Sequence, residues 1–144
     1  MVESASPLNE ELLADSLLQM GNIFANSDEP DFDMAVEKLQ ECLNLKKKVF
    51  GPETEHVADV NYALGLAYEK ANDIDKATTH LAEALRFFKM KRNKSGAANV
   101  YHTLARMKAA ESVETGSAGD HAAAMECYEE ALKVRRQVMS LDDT

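Results

Sequence analysis

The sequence is poor in residues that break or staple a chain, with three prolines, six glycines and two cysteines among 144 residues. So little Gly and Pro favours long helices joined by short turns, and what there is concentrates near Gly51-Pro52 and from Gly116 to Gly119. A chain of this length buries roughly two-thirds of its unfolded surface, so Cys42 and Cys127 need serve no staple role. Apolar runs such as Ala63-Leu64-Gly65-Leu66-Ala67 fall far short of the roughly 20 residues that span a bilayer, and no membrane partner is expected. The opening, Met1-Val2-Glu3-Ser4-Ala5-Ser6-Pro7, lacks a basic segment followed by an apolar one, so a cytoplasmic or nuclear location is expected rather than secretion. Cations are also in the minority: 16 Lys and Arg against 25 Asp and Glu give a net charge of −9. That balance repels phosphate backbones, and no nucleic-acid partner is expected.

Signatures of chemistry are missing as well. There is no Gly-x-Ser-x-Gly, and Gly116-Ser117-Ala118-Gly119 lacks the lysine of a phosphate-binding loop. His56, His80, His102 and His121 are scattered, with no His-x-x-x-His pair to place two ligands on one helix face. Without a base and an orienting group beside a nucleophile, catalysis has no foothold. The expectation is a protein that is not an enzyme and takes no cofactor and no metal.

What the sequence does contain is a repeat. A large apolar residue followed by a small one, an aromatic four on, then Ala, a large residue, a small one and Leu, occurs three times. The first copy is Met20-Gly21, Phe24, Ala35, Leu39, Cys42, Leu43; the second is Leu64-Gly65, Tyr68, Ala77, Leu81, Ala84, Leu85. The third is Leu104-Ala105, Ala124, Tyr128, Ala131, Leu132, with Lys108 in the aromatic column. Residues at i, i+4, i+7 and i+8 share one helix face, so each second half is a stripe of alternating small and large side chains. Small residues let a neighbouring backbone approach, and Gly21 and Gly65 do the same for the first half despite a helix cost of about 1 kcal/mol relative to Ala.

Six helices in antiparallel pairs follow, at about 10–26, 31–50, 55–71, 73–93, 96–114 and 120–140. Asp31, Asp73 and Asp120 each precede the repeat's Ala by four residues, where an Asp side chain caps a helix start. Lys46-Lys47-Lys48, Lys89 with Lys91-Arg92, and Lys133 with Arg135-Arg136 close the same three helices. They complement the macrodipole by about 0.3–1 kcal/mol per exposed charge, so they read as mainly structural. Cys42, in the small-residue column, reads as a packed thiol, and Cys127 beside the stripe as partly exposed.

Leu64-Gly65-Leu66-Ala67-Tyr68, Asn72-Asp73-Ile74-Asp75-Lys76-Ala77 and Ala84-Leu85 resemble a tetratricopeptide repeat, and the looser first and third copies extend the likeness over nearly all of residues 10–140. The spacing near 42 residues, and Val49-Phe50-Gly51-Pro52 followed by His56-Val57-Ala58, are more similar to the repeats of kinesin light chains. Ala35-Val36-Glu37 and Cys42-Leu43-Asn44-Leu45 also look like the repeats of histone chaperones of the nuclear autoantigenic sperm protein type, although their long acidic interruption is absent here. The resemblance implies an all-α fold, a right-handed α-α superhelix (a TPR-like solenoid) of three helix pairs, whose first helices line a concave groove for a partner peptide. The organisation expected is a flexible N-terminal segment over 1–9, one domain over 10–140 with repeats at about 10–53, 54–94 and 95–140, and a tail over 141–144.

Groove residues are then those of the first helices off the packing stripe: Leu18, Gln19, Asn22, Tyr62, Leu66, His102, Thr103 and Arg106. Tyr62 and Leu66 suit an apolar anchor, while Gln19, Asn22 and Arg106 suit a peptide backbone or carboxylate. The plainer alternative is a merely solvated face, or one covered by neighbouring subunits. Members that grip the C-terminal carboxylates of heat-shock chaperones carry a Lys and Asn pair, a further Asn, and a Lys and Arg pair along the groove; here only Asn22 matches, with Leu18, Ala63, Asn99 and Thr103 at the other places, so the two-cation cluster that holds a dicarboxylate is missing. On the last helix, Tyr128, Leu132, Val138 and Met139, with Met125, are expected to leave an open-end patch suited to a partner or to self-association. The acidic loop Asp28-Glu29-Pro30-Asp31 with Asp33 reads as a solvated turn, or as a contact for a basic protein. Three roles remain open: an adaptor or scaffold binding a partner peptide in the groove, an acidic histone-chaperone-like binder of basic proteins, and a purely structural subunit of a larger complex or filament.

Overall fold

A computed structural model describes residues 7–116 and 118–142 of the chain. Six helices follow one another: α1 (Pro7–Asn26), α2 (Phe32–Phe50), α3 (Glu55–Lys70), α4 (Ile74–Met90), α5 (Lys94–Thr115) and α6 (Ala118–Asp142). Among the described residues there is no strand. Every helix end falls within three residues of the position read from the sequence. Residues 1–6, 143 and 144, which hold most of the expected N-terminal segment and half of the expected tail, lie outside the described residues. The chain divides into two compact units, Met1–His80 and Leu81–Thr144, with the boundary inside α4.

In the first unit α1 and α2 run antiparallel, and α3 packs on them. Their core joins Ala14 and Leu17 of α1, Leu39, Cys42 and Leu43 of α2, and Val57, Val60, Leu64 and Ala67 of α3. Each large member contributes about 1.5–3 kcal/mol on burial. Gly21 allows the closest approach: a Cβ there would sit 2.7 Å from Leu39 Cγ and 3.2 Å from the Ala35 carbonyl oxygen. Asp31 caps α2, its Oδ1 accepting from Met34 N at 3.0 Å, and Asp73 Oδ1 accepts from Lys76 N at 3.3 Å at the start of α4. Buried Asn61 is satisfied within the same unit, its Oδ1 lying 2.9 Å from His80 Nδ1.

The second unit repeats the hairpin with α5 and α6. Ala97, Ala98, Val100, Ala105 and Met107 of α5 are buried, as are Ala124 and Ala131 of α6. Gly96 faces Phe88 so closely that a Cβ would lie 2.6 Å from its ring. Gly116, at φ 67°, ends α5 with its N–H donating to the Ser112 carbonyl.

One turn appears in both units. Between α3 and α4, Ala71 N, Asn72 N and Asp73 N donate to the carbonyls of Ala67, Glu69 and Tyr68, with Asn72 at φ 66°. Between α4 and α5, Lys91 N, Arg92 N and Asn93 N donate to Phe87, Lys89 and Phe88 at the same offsets, with Arg92 at φ 57°. Asn tolerates this left-handed region through its short polar side chain, whereas Arg has no such compensation.

Four sequence expectations are corrected. Met20 stands in the repeat column of Leu64, yet is 41% exposed while Leu64 is fully buried; Ala14 and Leu17, one turn earlier, supply the core on α1. The third stripe ends early, since Leu132 is 52% exposed. Helix α6 continues to Asp142, so Lys133, Arg135 and Arg136 do not occupy its last turn, where the dipole would favour them. It also starts at Ala118, which puts Asp120 inside the helix rather than before it; the Asp120 side chain lies outside what is described.

Candidate partner-binding site

Helices α1 and α3 are both first members of their pairs and run parallel, with Lys70 Nζ donating to Asn26 Oδ1 near their C-terminal ends. At i, i+4 and i+8 spacing, Leu18, Asn22 and Asn26 form a row on α1, and Tyr62, Leu66 and Lys70 form its counterpart on α3. Gln19 is exposed beside the first row, while Leu18, Asn22, Tyr62 and Leu66 are partly buried. Five of the eight expected groove residues therefore belong to the first unit, on two neighbouring helices. The surface presents apolar groups next to amide donors and acceptors, a composition that suits a peptide segment.

The other three lie on α5 in the second unit. His102 and Arg106 are exposed, and the His102 ring meets Tyr128 of α6 edge-on at 5.8 Å. Thr103 is 1% exposed and donates its hydroxyl to the Asn99 carbonyl at 3.1 Å, so it faces inward and lines no surface. The expected open-end residues divide likewise. Leu132 and Met139 are exposed, and with Met125 they form a stripe at seven-residue spacing, whereas Tyr128 and Val138 are partly buried. An apolar surface that the sequence reading missed lies on α1, where Leu8, Leu12, Leu13 and Ile23 are each more than half exposed. Its signal was available as an excess of large apolar residues over the number one helix face can bury.

Charged side chains knit the ends of the helix pairs. In the first unit Lys46, its side chain 8% exposed, reaches Asp15 at 2.7 Å and lies 5.3 Å from the Phe50 ring centre. Lys48 meets Glu10 at 3.1 Å. In the second unit Arg135 donates to Asn99 Oδ1 at 2.7 Å and Lys94 to Gln137 Oε1 at 3.0 Å. Beside the latter contact is a cleft of about 360 Å³, formed by the C-terminal end of α4, the start of α5 and the later turns of α6. In the sequence its Lys89, Arg92 and Lys133 read as helix-end complements, because charge type alone does not show which side chains share a hollow.

Burial pushes the Cys42 thiol up to about 11; Lys46 nearby opposes that shift and Asp15 adds to it. Cys127 is raised as well, by burial first and then by Glu126. Neither is primed as a nucleophile. His56 stacks on Phe50 at 3.7 Å and His80 on Tyr68 at 5.5 Å. Among the described residues no group of three or more His, Cys, Asp or Glu is placed to hold a metal ion, and no helix is long and apolar enough to cross a membrane.

Family models described as tetratricopeptide repeat match residues 5–90 and 115–143. Between them lies most of α5, whose aromatic column holds Lys108. Over 72 residues, half of the chain, the sequence is 29% identical to the nuclear autoantigenic sperm protein of Homo sapiens. That stretch spans 9% of the relative's length. No solved structure matches.

Proposed function

The chain belongs to the tetratricopeptide repeat family, and from that premise we propose that it is a non-catalytic protein-interaction module, an adaptor or scaffold subunit that takes a segment of a partner protein on the exposed face of its first-of-pair helices. The observation that supports this most is the pair of parallel rows on α1 and α3. Tyr62 and Leu66 offer a seat for an apolar anchor, and Gln19 and Asn22 offer hydrogen bonds to an extended backbone. The test is to select peptides against the purified chain by display and measure their affinities by titration. Tyr62→Ala with Leu66→Ala is expected to weaken binding tenfold or more at unchanged helicity; unchanged affinity removes this face from the site.

A second reading, an acidic binder of basic proteins of the histone-chaperone kind, is favoured by the likeness to the nuclear autoantigenic sperm protein and by the charge of −9. Asp28, Glu29, Asp31 and Asp33 are all exposed on or beside the turn between α1 and α2, where they would steer a basic tail. Purified core histones titrated at low and physiological salt decide it. Salt-sensitive binding that is lost on reversing those four charges supports this reading, and indifference to histones overturns it.

A further inference from the structure

The third helix pair differs from the first at one place where the repeat makes them comparable side chain by side chain. Asn99 and Lys94 of α5 stand 84 residues after Asp15 and Glu10 of α1, and Arg135 and Gln137 of α6 stand 89 residues after Lys46 and Lys48 of α2. Those are the offsets that superpose the repeats. Both inter-helix contacts are retained, Asp15–Lys46 as Asn99–Arg135 and Glu10–Lys48 as Lys94–Gln137. Their chemistry is not. In the first pair each contact joins an acid to a base, and the four charges cancel; in the third each joins a cation to an amide, which satisfies hydrogen bonds and leaves two positive charges in place.

The Lys94–Gln137 contact forms part of the wall of the 360 Å³ cleft, and the Asn99–Arg135 contact belongs to the same two helices outside its lining. Lys89, Arg92, Lys94 and Lys133 line the cleft against a single carboxylate, Glu130. Its floor is apolar: Phe88 is 4% exposed, and Tyr101 and Val134 are partly buried. Arg92 is held at φ 57° where the matching turn of the first unit has Asn72. A residue with a Cβ pays about 1–2 kcal/mol for that conformation, so local backbone preference does not explain an arginine there.

We propose that this cleft is a binding site for an acidic peptide segment, whose carboxylates pair with Arg92, Lys94 and Lys133 while an adjacent apolar side chain rests on Phe88 and Tyr101. Arg92 supplies a planar fork for a bidentate carboxylate, and the lysines supply point charges. Four cations confined to one hollow with an aromatic floor fit a short peptide better than a nucleic acid, whose affinity grows with a long track of phosphate contacts. The overall charge of −9 does not forbid an anionic ligand, because charges beyond about 8 Å are screened at physiological salt. The site is distinct from the face of α1 and α3 proposed above and stands or falls separately.

Fluorescence anisotropy with a labelled peptide of six glutamates around a central phenylalanine tests it on the whole chain. Saturable binding that weakens with added salt is expected, with a lysine-for-glutamate twin at least tenfold weaker. Asn99→Asp with Gln137→Glu gives the third pair the acid–base pattern of the first; it is expected to reduce affinity for the acidic probe at least tenfold while the melting temperature holds or rises. Lys94→Glu with Lys133→Glu should abolish binding, and Tyr62→Ala with Leu66→Ala should leave it unchanged. No saturable binding, equal binding of the two peptides, indifference to Asn99→Asp with Gln137→Glu, or tighter binding of an oligouridine of equal charge overturns the proposal.

Discussion

The first and third helix pairs carry the same hairpin and close it by different means. In the first, the tightest approach is within the pair, where Gly21 lies under Leu39, and Lys46 and Lys48 of α2 pair with Asp15 and Glu10 of α1. The third has Ala105, fully buried, in the place of Gly21, and the close approach at its Gly96 is to Phe88 of the preceding helix α4 rather than to α6. Its Arg135 and Lys94 meet amides instead. Here the repeat preserves the geometry of these contacts more strictly than their chemistry.

The contrast breaks most forcefully at the small residues. Gly21→Ala gains helix propensity worth about 1 kcal/mol, yet should destabilise the chain by about 1–3 kcal/mol net, because the new Cβ falls inside Leu39 and near the Ala35 carbonyl. Ala105→Gly in the third pair introduces no clash and should cost about 1–2 kcal/mol, from helix propensity and from the buried methyl it removes, and chemical denaturation of the two variants measures both losses. A Gly21→Ala protein as stable as the parent would show that the first pair is not closed by close approach.

The thiols sharpen the comparison next. Cys42 fills the column that Ala131 fills in the third pair, and its folded-state value of about 11 lies above the ordinary 9. Between those two values the folded chain keeps a proton that the unfolded chain has lost. Stability from this group is therefore complete below pH 9 and declines as pH rises toward 11, by about 3 kcal/mol at most. Melting curves across that range should show the decline, and Cys42→Ala should flatten it. In the native protein near neutral pH, alkylation followed by mass spectrometry should find Cys127, which is partly exposed, modified well before Cys42.

The smallest effect concerns the ion pair. Asp15→Asn leaves the nearly buried Lys46 facing an amide, the arrangement already present at Arg135 and Asn99. Because Asp15 is about half exposed, solvent screening holds the cost near 1 kcal/mol. A loss several times larger would mean that the first unit cannot accept the third pair's chemistry.

Much of this architecture could be read from the residues. Helix ends followed from Asp31 and Asp73 as caps and from the Ala-Leu stripes, and Cys42 was placed by its column alone. Periodicity shows which side chains share a face; it does not show how much of that face a neighbour covers. Hence Met20 and Leu132 sit in core columns yet reach solvent, while Thr103 looked polar enough for a groove but bonds to its own helix backbone. The cleft escaped for another reason. Lys89, Lys94 and Lys133 come from three helices, and only the matched positions of Lys48 and Gln137 would have exposed the exchange of charge.

The turn shared by residues 71–73 and 91–93 occurs once inside a repeat and once between two repeats, with the same hydrogen bonds and the same left-handed middle residue. A hairpin can thus be counted as α3 with α4 or as α4 with α5, and nothing in the local backbone prefers either frame. A chain joined at either place in units of one hairpin would keep the same loop geometry, since both joints are closed by the same three backbone hydrogen bonds.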